Sequence, residues 1–130
     1  MLGAAQVILD RTDGNVQGID INLGCPQSIA RKGNYGAFLL RDLDLVCEII
    51  HTLKNGLDGD AAVGISAKIR IPENDDAHGT KLINTITQII NSGADAITVH
   101  GRTLKENKTS VRACNWDMIN LASQTAKPFH

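Results

Sequence analysis

The chain has 130 residues, 13 Lys plus Arg against 14 Asp plus Glu, and a formal net charge of −1, which excludes a broadly basic nucleic-acid-binding surface though not a local one. Aromatic residues make up 3%, too few for a platform on which successive bases stack. No run of about 18 apolar residues is present to span a membrane, and the first residues lack the basic stretch and long apolar core of a signal peptide.

Residues 2–12 have the character of a helix ending near Gly14. From Gly18 to Gly24 the pattern alternates, with Ile19, Ile21 and Leu23 on one side and Asp20 and Asn22 on the other, which predicts a strand. The next segment, residues 36–55, carries Leu39, Leu43, Val46, Ile50 and Leu53 at helical spacing, with Gly56 expected just past the helix end. "LDGDAAVG" is a loop. Ile65 to Ile71 alternates again, placing Ser66, Lys68 and Arg70 opposite Ile65, Ala67, Ile69 and Ile71, and Pro72 closes it. Leu82, Ile83, Ile86, Ile89 and Ile90 predict a second helix, stopped by "SGAD". Ala96 to His100 forms a third strand, with Thr98 and His100 on its polar side. The loop "GRTLKENKTSVRAC" leads to a helix at about 116–124. "KPFH" is expected to begin a fourth strand.

Strands alternating with helices imply βαβ units and a parallel sheet. Such a sheet is normally covered on both faces and its strands read as continuous apolar runs. These strands instead keep one apolar and one polar face. A barrel accounts for this simply, with apolar faces outward against helices and polar faces inward, and with chemically capable residues gathered at the strand C-termini. An open doubly wound sheet would also bring strand ends to a ligand, and periodicity alone does not separate the two. Taken singly, Lys68 and Arg70 also suit a snorkelling role at a sheet edge, and His100 a satisfied core position.

The three cysteines, Cys25, Cys47 and Cys114, are odd in number and widely spaced. No CxxC pair exists, so neither a zinc site nor a disulfide framework is supported, and a reduced, intracellular protein is the expectation. Cys47 sits in a helical stripe and reads as a small core residue. Cys114, in a polar loop, reads as incidental. Cys25 differs, because it follows a strand end and is held between Gly24 and Pro26. A thiol fixed in this way suits a positioned proton donor or nucleophile. No GxGxxG or Walker pattern is present.

These residues together resemble a known family. "DINLGCPQSIARKGNYGAFLL" is similar to the signature of tRNA-dihydrouridine synthases: Asn-x-Gly-Cys-Pro, a short basic loop, then Gly-x-x-Gly-Ala and two apolar residues. "AKIRI" matches the family's Lys-x-Arg strand, and "ITVHGRT" its His-Gly-Arg-Thr strand end, in the same order. The match spans Gly18 to Thr103 and most resembles the eukaryotic branch that acts at positions 16 and 17 of the tRNA D-loop.

The resemblance implies a partial TIM (β/α)8 barrel, about three βα units of the catalytic domain. Residues 1–130 would be the central part of an FMN-binding dihydrouridine synthase domain, incomplete because such a barrel needs about 250 residues. It further implies a flavoprotein that uses FMN, with NADPH or NADH as reductant and tRNA as substrate. Hydride passes to C6 of a uracil and a cysteine donates the proton to C5. Cys25 carries over as that catalytic acid. Lys68 and His100 match the FMN-binding lysine and histidine. Asn22 matches the asparagine beside the cysteine, and Arg70 and Arg102 are candidates for cofactor or tRNA contacts. Neither a metal nor a membrane is implied, and the location expected is the cytoplasm or nucleus. The chain by itself is expected to be poorly soluble and inactive. Two alternatives stand beside this reading: another FMN-barrel oxidoreductase, such as one resembling dihydroorotate dehydrogenase, and a non-catalytic remnant.

Overall fold

The computed structural model describes residues 1–57, 63–107 and 110–129. Helix α1 (Leu2–Arg11) precedes strand β1 (Gly18–Leu23), the short helix α2 (Ser28–Lys32), a 3-10 segment (Gly36–Arg41) and helix α3 (Leu43–Gly56). Strand β2 (Gly64–Arg70), helix α4 (Thr80–Asn91), strand β3 (Ala96–His100) and helix α5 (Trp116–Ala126) follow. The strands form one sheet in the order β1-β2-β3, every pair parallel. Parallel neighbours require a crossover connection, and α3 and α4 lie in the two crossovers.

The alternation seen in the sequence is the alternation of burial. In β1 Ile21 and Leu23 are buried while Asp20 and Asn22 are exposed, and in β2 every second residue is buried from Ile65 to Ile69. Against this apolar face pack Val46, Ile50 and Leu53 of α3 and Leu82, Ile86 and Ile89 of α4. Burying these branched side chains against the helices is the main favourable term holding the layers together. The outer strand β3 is less covered, with Ile97 and Val99 half-buried against the same core. The polar face carries Asn22, Lys68 and Thr98 in one row, with Arg70 opposite His100 in the next.

Four local expectations change. The helical spacing over 36–55 does not form one helix. Gly36–Arg41 winds as a 3-10 segment, and the chain breaks at Asp42, whose Oδ1 accepts the N–H of Leu45 at 3.2 Å and caps α3. Gly56 is the last residue of α3 rather than the one beyond it; a Cβ there would meet the Leu2 side chain at 2.6 Å, so the glycine admits α1 against α3. The basic loop after Gln27 contains the helical turns of α2. "KPFH" does not begin a strand: Lys127–Phe129 is a 3-10 turn that prolongs α5. Of the loop expected at "LDGDAAVG", residues 58–62 lie outside the described residues.

Candidate active site

The site forms where the three strands end. At β1, Leu23 is fully buried, so its neighbour Asn22 points to the polar face. Asn22 Oδ1 accepts the backbone N–H of Gly24 at 3.0 Å, a local side-chain turn that bends the chain out of the strand. Cys25 follows, half-exposed, ahead of Pro26 and α2. Its backbone is gripped from the other side by the 3-10 segment. The N–H of Ala37 donates to the Cys25 carbonyl at 3.1 Å. Gly36 adopts φ +61°, and a Cβ on it would stand 2.8 Å from Cys25 Cβ and 2.9 Å from Cys25 O. Only glycine fits both the left-handed backbone and the close approach.

Arg70, the last residue of β2, joins the three strand ends. Its Nε donates to the Gly24 carbonyl at 2.7 Å and its Nη1 to the Thr103 carbonyl at 3.0 Å. Burial and the neighbouring Arg102 lower its pKa, while the Glu106 carboxylate acts in the opposite direction. A guanidinium remains charged at neutral pH under such a shift. The loop after β3 is itself set by Glu106, whose Oε2 accepts the N–H of Thr103 at 2.8 Å.

His100, opposite Arg70, has its Nε2 3.2 Å from Arg102 Nη1. A guanidinium only donates, so Nε2 is the acceptor and the ring proton lies on Nδ1. Burial, then the positive charges of Arg70, Lys68 and Arg102, hold the His100 pKa below its ordinary value, with Glu106 opposing. The imidazole is therefore neutral at pH 7 and presents a donor rather than a charge. Arg102 is largely committed, since its Nε also donates to the Arg112 carbonyl at 2.6 Å.

Lys68 lies between Asn22 and Thr98 in the row below. Among the described residues it has no carboxylate partner within ion-pair distance. A Cβ built on Gly24 would lie 3.6 Å from Lys68 Nζ and 3.8 Å from Asn22 Oδ1, so both side chains reach the Gly24 backbone. Deeper along the same face, Ser66 Oγ donates to Asp20 Oδ1 at 2.7 Å.

All six residues singled out in the sequence thus stand at or just beyond one edge of the sheet. Asn22, Lys68 and Arg70 border the Gly24–Cys25 turn, His100 stands across from Arg70 on the next strand, and Arg102 serves mainly the loop and the His100 ring. Sequence reasoning missed Gly36, Thr103 and Glu106. Gly36 had a signal in the Gly-x-x-Gly-Ala pattern, whereas the other two act through loop backbone that no periodicity reports. No group of three or more His, Cys, Asp or Glu that could hold a metal ion occurs among the described residues. None of their helices is long and apolar enough to cross a membrane.

The model of the family described as "Dihydrouridine synthase (Dus)" matches residues 1–126. The chain belongs to the dihydrouridine synthase family. Among curated relatives, the tRNA-dihydrouridine(16/17) synthase [NAD(P)(+)] of Saccharomyces cerevisiae is 39% identical over 92% of this chain and 25% of its own length. The Schizosaccharomyces pombe protein of the same name is 34% identical over 96% of the chain and 30% of its own length. A mouse tRNA-dihydrouridine(20a/20b) synthase-like protein is 36% identical over 82% of the chain and 31% of its own length. The chain spans between a quarter and a third of the length of these dihydrouridine synthases.

Proposed function

We propose that residues 1–130 are the central part of a TIM-barrel domain whose complete enzyme reduces uridine to 5,6-dihydrouridine in tRNA, at D-loop positions 16 and 17. The observation that carries this reading is the placement of Cys25, Asn22, Lys68 and His100 toward the C-terminal ends of three adjacent parallel strands, where barrels of this class keep their chemistry. The (16/17) naming of the Saccharomyces cerevisiae and Schizosaccharomyces pombe relatives supports the choice of positions. The polar face of the sheet supports the wider TIM barrel, since it suits the inside of a closed barrel better than a helix contact.

FMN fits the residues present. Lys68 offers an ammonium with no carboxylate partner among the described residues, and neutral His100 offers Nδ1–H on the neighbouring strand. These two would hold the flavin, Lys68 by charge and His100 by a hydrogen bond. When bound and reduced by NADPH or NADH, FMN supplies the hydride for C6 of the uracil.

The chain's own groups do the remaining work. Asn22 and Lys68 orient the uracil and favour the negative charge that develops on it as C6 is reduced. The Cys25 thiol, held by Pro26, Ala37 N–H and the Gly36 contact, gives its proton to C5. Arg70 holds the carbonyl just before Cys25 and so keeps the thiol at one height above the strands. The target uridine must leave its stack to reach this edge, so the enzyme acts on a flipped base.

The test is dihydrouridine content at positions 16 and 17 of tRNA from cells lacking the gene. Loss there, restored by the intact gene and not by Cys25→Ala, is the expected result. Unchanged dihydrouridine in a strain with no second enzyme for those positions would overturn the assignment. Rescue by Cys25→Ala would remove Cys25 as the acid.

A further inference from the structure

Thr103-Leu-Lys-Glu106 has the spacing of a helix capping box, in which the carboxylate of the fourth residue reaches back to the backbone N–H of the first. The reach-back bond is present, with Glu106 Oε2 accepting Thr103 N–H at 2.8 Å. No helix follows it. Residues 104–106 form bends, and α5 starts only at Trp116 with a cap of its own, Asn115 Oδ1 accepting the N–H of Met118 at 3.1 Å. The bond therefore starts no helix, and its effect falls on Thr103 itself.

Both backbone groups of Thr103 are engaged. Its N–H goes to Glu106, and its carbonyl accepts Arg70 Nη1 at 3.0 Å. The same guanidinium donates from Nε to the Gly24 carbonyl at 2.7 Å, and that carbonyl belongs to the peptide joining Gly24 to Cys25. A guanidinium is a rigid planar fork, so its two bonds constrain each other's direction. Asn107 closes the turn behind Thr103, with Nδ2 donating to the Leu104 carbonyl at 2.6 Å. Glu106, Thr103, Arg70 and the Gly24–Cys25 peptide thus stand in series.

We propose that Glu106 is a positioning residue for the proton donor: it fixes Thr103, Thr103 directs Arg70, and Arg70 sets where the Cys25 thiol stands. For the reaction the proposal rests on the tRNA reading of the site, whereas the link from Glu106 to Cys25 rests on the hydrogen bonds alone. Proton delivery to C5 depends on donor position, since a displacement of about 1 Å costs about a hundredfold in rate. Flavin reduction by the nicotinamide involves no thiol and is independent of Glu106. The carboxylate is also attracted by Arg112 and Arg102, but it is partly exposed and salt screens such charges. The hydrogen bond, rather than the charge, is the operative contact.

The test uses the complete enzyme and two readouts. One is the single-turnover rate at which the reduced enzyme forms dihydrouridine in tRNA. The other, without tRNA, is the rate at which iodoacetamide alkylates Cys25, followed by peptide mass spectrometry. Glu106→Ala removes bond and charge, Glu106→Gln keeps an acceptor oxygen without the charge, and Glu106→Asp keeps the charge on a side chain one methylene shorter. Glu106→Ala and Glu106→Asp are expected to slow dihydrouridine formation roughly ten- to a hundredfold and to speed Cys25 alkylation. Flavin reduction by NADPH and the tRNA concentration giving half the maximal rate are expected to stay as in wild type. Glu106→Gln is expected to match wild type in both readouts. In an Arg70→Lys background Glu106→Ala is expected to add no further loss, because the series is already broken. Glu106→Asp and Glu106→Gln decide the matter if Glu106→Ala does not fold. Wild-type rates in Glu106→Asp overturn the proposal, as does a loss in Glu106→Gln equal to that in Glu106→Asp, or full additivity with Arg70→Lys. A wild-type enzyme that makes no dihydrouridine overturns the catalytic reading instead, and Cys25 alkylation across the same variants still decides the link.

Discussion

At His100, burial first and then three neighbouring cations set the cost of a charge. The folded pKa lies below the ordinary value of about 6.5 through burial first and then through Arg70, Lys68 and Arg102. As pH falls through about 6.5, the unfolded chain takes up a proton that the folded chain refuses, so stability declines with falling pH until the folded pKa is reached. His100→Gln, neutral throughout, is expected to flatten this slope. Thermal unfolding of the complete enzyme between about pH 7.5 and 5.5 checks it, and an unchanged slope in the variant would remove His100 as its source. At this scale the sequence was informative where a residue acts through its own type and strand position. Cys25 stood out for that reason, whereas Asn22, Lys68 and His100 were singled out by the resemblance of their strands to the family's motifs. Arg70 stood out too, but its task of bridging the Gly24 and Thr103 carbonyls was invisible, because it depends on two loops brought together only by folding.

Among the elements, β1, β2, β3 and α4 were readable because one periodicity runs through each and one face of each is buried. The segment over residues 36–55 shows how the same signal misleads. Apolar spacing continues through Asp42, but a 3-10 turn and an α-helix can each present an apolar side to one core, and spacing does not see the join. Asp42 marks it chemically, as a side-chain acceptor for Leu45 N–H. Asp42→Ala is expected to lower unfolding stability by about 1 kcal/mol, with Asp42→Asn costing less. Denaturant unfolding of the two variants provides the check, and equal losses would show that the cap bond contributes nothing. The fourth strand expected at "KPFH" failed for a related reason. A proline after a helix excludes neither a turn nor a strand, and Lys127–Phe129 remains wound onto the end of α5.

For the whole molecule, the sheet has two outer strands, β1 and β3, each paired on one side among the described residues. Trp116 and Ile29 expose 74% and 62% of their surface, and Val7 and Ile8 on α1 about half. Unpaired parallel edges and exposed apolar groups favour association between chains. Residues 1–130 alone are therefore expected to self-associate at micromolar concentration, whereas a chain extended by the neighbouring strands of the proposed barrel stays monomeric. Size-exclusion chromatography with light scattering distinguishes the two. A monomeric 130-residue chain with a sharp, reversible unfolding transition would argue against a partial barrel.

The sequence by itself determined the alternation of elements, the division of each strand into an apolar and a polar face, and the family to which the chain belongs. These are carried by residue type and short-range order, which survive without knowledge of contacts. The tertiary structure alone decided which polar groups are already engaged. It showed Arg70 committed to two carbonyls, His100 neutral beside three cations, and Gly36 pressed against Cys25. Hydrogen bonding and charge depend on distances between residues far apart in the chain, and only the packed sheet and its loops set those distances.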